Sequence, residues 1–172
     1  MDNSKNLRLT FLAFWYTTKS RKLFACCVPI FSHRSPITDH RSLITTYLDL
    51  PGAVMRSGLD QVPGTATDWH SIQHYFAVEA CGRTVVVASP DIPLVQVNGI
   101  NTGKWQETLP PHNGLVMSWV MNNYWFTNFP AAQGGGFAWR YRVLAASGGF
   151  DPDAAAAFAA GARQPLVAEV MR

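Results

Sequence analysis

Two histidines four residues apart, His70 and His74, and a scatter of carboxylates are the side chains here whose types suit metal or acid–base chemistry. On a helix that spacing puts both imidazoles on one face, where a zinc ion takes them. The segment Ser71–Glu79 (SIQHYFAVE) alternates as a strand instead. Ile72, His74, Phe76 and Val78 fall on one face, and Ser71, Gln73, Tyr75 and Ala77 on the other. On a strand the two histidines stand roughly 13 Å apart, too far for one ion. They read as structural residues, and no metal site is predicted.

A glycosidase requires paired carboxylates, one as acid and one as nucleophile or base, about 5–9 Å apart. Asp60, Asp68, Glu79, Asp91 and Glu107 are the candidates. Each sits in a turn or at a strand end, where such side chains bond local backbone. A serine nucleophile lacks its GxSxG elbow. Cys81 precedes a glycine in a hairpin with no base in view, and Gly134–Gly136 lies between strands rather than opening a helix over a phosphate. No catalytic residue is predicted in this chain.

Binding has better candidates. Asn122-Asn123-Tyr124-Trp125-Phe126-Thr127-Asn128-Phe129 is the densest aromatic and amide run. Amides fork onto sugar hydroxyls, and ring faces stack on the apolar faces of pyranoses. Trp69, Trp105, Asn122, Asn123, Trp125 and Asn128 are the residues expected to contact carbohydrate or a neighbouring domain. The competing reading of the 122–129 run is a buried strand whose amides bond backbone.

The elements that must position these side chains are short strands. Tyr47–Leu50 runs into a Pro51-Gly52 turn, and Arg56–Thr67 reads as a loop. After Ser71–Glu79, Cys81-Gly82 turns the chain into Arg83–Ser89, a β-branched strand. Leu94–Val97 is a further strand, Asn98–Asn113 is irregular, and Leu115–Asn122 is a strong strand. Phe137–Ala145 alternates, with Phe137, Trp139, Tyr141 and Val143 opposite Arg140 and Arg142. Asp151-Pro152-Asp153 is a helix start, with a capping carboxylate, a proline at the first helical position and a second acid at the dipole's positive end. Ala154–Ala162 supplies the one helix. The fold class predicted is all-β, mainly an antiparallel sandwich that is incomplete, with one short C-terminal helix.

Residues 1–45 read differently. They hold seven Lys/Arg against two acids, whereas 46–172 hold seven against nine. Charge gathered in one terminal stretch is not a nucleic-acid footprint, and no nucleic acid is expected as a partner. The apolar runs Leu7–Tyr16 and Leu23–Phe31, split by Thr-Thr-Lys-Ser-Arg-Lys, fall short of the roughly 18–20 residues a spanning helix requires, and no membrane association is expected. Asp2 ahead of the basic residues makes a poor signal peptide. The stretch is expected to be an irregular, atypical leader, disordered or foreign to the domain at 46–172. Cys26, Cys27 and Cys81 form no CxxC pair, and a reducing, cytoplasmic compartment is the expectation.

Several motifs in register carry a resemblance. They are Pro51-Gly52, Asp60-Gln-Val-Pro-Gly64, Asp68-Trp69, Gln73, Ala88-Ser-Pro-Asp-Ile-Pro-Leu-Val-Gln96 and Asn101-Thr-Gly-Lys-Trp105. Val120–Phe129, Gln133-Gly-Gly and Phe137-Ala-Trp-Arg-Tyr141 continue the series. Together they resemble the post-barrel β region of glycoside hydrolase family 38 α-mannosidases, across roughly residues 46–166. The resemblance implies a large retaining exo-mannosidase whose upstream α/β barrel holds zinc, the nucleophile and the acid/base carboxylate. No position here matches those ligands. The chain is then expected to be a non-catalytic C-terminal β-domain fragment, inactive alone, reaching α-mannosides or oligosaccharides only through that barrel. The alternatives are a free-standing carbohydrate-binding module, or an accessory subunit completing a separately encoded mannosidase barrel.

Overall fold

The computed structural model describes residues 12–18, 21–29, 44–101, 104–122 and 135–164. Among these residues ten strands run in chain order as β1 (Leu12–Thr18), β2 (Arg21–Pro29), β3 (Thr45–Leu50), β4 (Ala53–Arg56), β5 (Trp69–Ser71), β6 (Tyr75–Ala80), β7 (Arg83–Ala88), β8 (Leu94–Val97), β9 (Leu115–Asn122) and β10 (Arg142–Ser147). One helix, α1 (Pro152–Arg163), follows them. The strands form two five-stranded sheets, ordered β1-β2-β9-β8-β5 and β10-β7-β6-β3-β4. Every pairing is antiparallel, so the predicted class stands: an open two-sheet sandwich with a short C-terminal helix.

The space between the sheets is filled by alternate side chains. Leu48, Phe76, Val78, Val85 and Val87 come from one sheet, and Val95, Val97 and Val116 from the other. Burying each such side chain contributes roughly 1.5–3 kcal/mol. The second face of the β6–β7 hairpin is buried as well. Tyr75, Ala77, Val86 and Ala88 lie under Ala155 and Ala159 of α1, which is why Tyr75–Val78 are all buried despite an alternating sequence. Small residues on the helix let it settle close to the sheet. Asp151 starts it as expected, its Oδ1 accepting from Asp153 N–H at 3.0 Å and Ala154 N–H at 3.1 Å.

Turn chemistry sets the β6–β7 register. Cys81 (φ 53°) and Gly82 (φ 67°) are both left-handed, as a two-residue type I′ hairpin requires. Ala80 faces Arg83 across it.

Three expectations change. Within residues 1–45, expected to be irregular, β1 and β2 pair from Leu12↔Cys27 to Thr18↔Arg21, and β2 pairs β9. A row of backbone donors and acceptors on β9 finds its partners there, which no local period in the leader signals. The continuous strand at Ser71–Glu79 is split: Trp69–Ser71 joins β8, and Tyr75–Ala80 joins the other sheet. The strand expected from Phe137 begins only at Arg142. Arg140 N–H donates to Asp91 Oδ2 at 2.7 Å instead of to a ladder, while its guanidinium takes both carboxylate oxygens.

Candidate functional site

Gln96 stands in the middle of an apolar strand, 0% exposed, and directly opposite Trp69 in the β5–β8 pairing. Its Nε2 donates to Asp68 Oδ2 at 2.9 Å and to the Asn101 carbonyl at 2.8 Å. Asn101 Nδ2 reaches the same carboxylate oxygen at 3.1 Å and donates to the Lys104 carbonyl at 2.7 Å. The Trp69 indole N–H closes the group on Asn101 O at 3.1 Å. A buried carboxylate with two amide donors is compensated for its lost water. The Trp69 ring lies on Trp119 of β9, with centroids 4.7 Å apart and planes tilted by 35°.

This joint holds up a loop. Asn101 fixes Lys104 from one side, and Thr67 Oγ1 donates to the Gln106 carbonyl at 3.0 Å from the other. Trp105 lies between those ties, 66% exposed. Its indole is thus presented to solvent on backbone anchored at both flanks.

The expected site residues divide accordingly. Trp69 is half-buried within the joint, and Trp105 stands open on the loop that the joint anchors. Asn122 ends β9, where its backbone pairs with Leu23. Asn123, Trp125 and Asn128 lie outside the described residues. Asp68, a candidate glycosidase carboxylate and part of the Asp68-Trp69 motif, is the hub of the joint. Gln96, Asn101 and Trp119 were absent from the expected set. The signal for Gln96 was present: a lone amide at a core position of Leu94–Val97. Two buried atoms, Gln96 Oε1 and Trp119 Nε1, have no hydrogen-bond partner among the described residues.

Asp60, Asp91 and Glu79 are engaged in holding the fold, whereas Glu107 lies exposed. The Arg56 guanidinium beside Asp60, and that of Arg140 beside Asp91, hold both carboxyls below the usual carboxylate range through direct hydrogen bonds. A carboxyl so paired is a poor proton donor near neutrality. Glu79 accepts from the Tyr47 hydroxyl at 3.0 Å and from Phe150 N–H at 3.1 Å, tying the helix entry to the sheet. The histidines are likewise placed: His70 Nε2 lies 3.1 Å from Thr67 O, and His74 Nδ1 lies 2.8 Å from Asp49 Oδ2.

No protein-family model, curated protein or solved structure matches the chain.

Proposed function

We propose that this chain is a non-catalytic C-terminal β-domain fragment of the family 38 α-mannosidase type, which supports an upstream catalytic barrel and hydrolyses nothing alone. One observation carries the reading. Motifs quoted separately for the resemblance, Asp68-Trp69, the Gln96 that ends its run, and Asn101 through Trp105, converge on a single buried joint. Residues that converge so are spent on architecture, which is the role of a supporting module. Zinc belongs in this reading to the barrel. Among the described residues no three His, Cys, Asp or Glu side chains gather to hold an ion.

The test is to translate the DNA upstream of the Tyr47 codon in all three frames. A frame running into a barrel with His and Asp zinc ligands is expected. Three frames without one overturn the proposal. The purified chain is also expected to release no p-nitrophenol from p-nitrophenyl α-mannoside with zinc supplied, and turnover would remove the non-catalytic reading.

The exposure of Trp105 on anchored backbone favours a second reading, a carbohydrate-binding module. Saturable binding of α-mannosides that Trp105→Ala abolishes would move it to first place. A flat titration at millimolar sugar would remove it.

A further inference from the structure

Phe137 and Trp139 stand two residues apart in the segment ahead of β10, before the sheet pairing begins at Arg142. Their ring centroids lie 6.0 Å apart, and their planes are within 10° of parallel. Parallel rings at that distance are slipped past one another rather than eclipsed, so each leaves a broad face uncovered and the two faces look the same way. Phe137 is 42% exposed, and Trp139 is half-buried. Neither ring belongs to a core cluster of the described residues. Among those residues the Trp139 indole N–H also finds no acceptor. The backbone beside the pair is pinned. Arg140 N–H and guanidinium hold Asp91, and the Tyr141 hydroxyl lies 2.8 Å from Ser118 Oγ in β9.

We infer that Phe137 and Trp139 form a binding platform for an uncharged, flat oligosaccharide of the β-1,4-linked glucan class, independently of the mannosidase reading and of Trp105. A pyranose whose substituents are all equatorial shows a flat face of C–H bonds, and such a face stacks on an aromatic ring. β-1,4 linkage strings these rings into a ribbon, which lays successive sugars on aromatic faces that point one way. The indole N–H adds a donor for a hydroxyl at the sugar's edge. Charge selects against other ligands. Gly135, Gly136 and Ala138 are uncharged, and Arg140 is satisfied by Asp91 at 2.7 Å, so no free cation waits for a phosphate or an acidic chain. Size selects too. Two rings offer far less than the roughly 800 Å² per partner of a stable protein interface, whereas they suit two consecutive sugars. Aromatic side chains on pinned backbone lose little freedom on contact.

Proton–nitrogen NMR titration of the intact chain with glucose, cellobiose and cellotetraose tests the platform. Saturable shifts are expected, with affinity rising at least about tenfold from the single sugar to the disaccharide, because two rings hold two sugars. Phe137→Ala and Trp139→Ala are each expected to weaken cellotetraose binding about tenfold. Both rings stand outside the core, so the two variants are expected to melt within about 1–2 °C of the unmodified chain. Trp139→Phe keeps a ring and loses the donor, and is expected to lose about threefold. A flat titration with cellotetraose overturns the inference. So does binding that survives both alanine substitutions, or that Trp105→Ala alone abolishes. Self-association that Phe137→Ala and Trp139→Ala remove, with no sugar bound, assigns the rings to a second copy and overturns it as well. If the variants do not fold, the unmodified chain decides. Amide shifts centred on residues 136–140 support the platform, and shifts centred elsewhere overturn it.

Discussion

Asp68 Oδ2 takes amide donors from residues 28 and 33 positions further along the chain. Removing it leaves buried amide hydrogens of Gln96 and Asn101 without their acceptor. Asp68→Ala is expected to destabilise the fold by about 2–4 kcal/mol, read as a lower urea midpoint with an unchanged slope. Tyr75 is the opposite case. Its hydroxyl is buried and has no partner among the described residues, so Tyr75→Phe is expected to leave neutral-pH stability unchanged or slightly improved. Burial pushes that phenol up to about 12, with Asp49 and Asp153 adding to the effect. The folded state therefore holds the Tyr75 proton more tightly than the unfolded state, whose value is about 10. Stability is full below about pH 10 and falls as pH rises toward 12. Thermal melts across that window are expected to decline in the wild-type chain and to decline less in the Phe variant.

At the level of elements, the type I′ turn at Cys81-Gly82 makes a clear prediction. Asparagine tolerates the left-handed region better than cysteine, so Cys81→Asn is expected to stabilise the β6–β7 hairpin by about 0.5 kcal/mol. Paired thermal melts in reductant check it. Elements whose causes are local were legible in the sequence. Strands β8 and β9 have the bounds read from their apolar runs, and α1 starts at the Asp-Pro-Asp signature. What escaped depends on distant partners. Nothing near Arg140 announces that a carboxylate 49 residues earlier takes its backbone N–H and delays β10. Nor does SIQHYFAVE reveal that its first residue pairs with one sheet and its last residues with another. The site was half legible for the same reason. Exposed Trp105 can be picked by type, whereas the Asp68–Gln96–Asn101 joint exists only once β5 and β8 lie side by side.

For the molecule as a whole, the weak feature is the number of sheet ends. Among the described residues each sheet has two edge strands, and β10 is one of them. Its Ala145, Ala146 and Ser147 are exposed and uncharged, which leaves little to discourage a second chain from adding a strand. Ala145→Lys is expected to reduce concentration-dependent self-association in sedimentation velocity while leaving the melting temperature within about 1–2 °C.

The helix that covers Tyr75, Ala77, Val86 and Ala88 is encoded after every strand it covers. During synthesis the β6–β7 hairpin therefore leaves the ribosome with one apolar face bare, and it stays bare while about 60 further residues are made, a delay of several seconds at ordinary elongation rates. A chain halted before Asp151 would carry that face permanently, so quality control would meet it as an unfinished product with its sheets already paired.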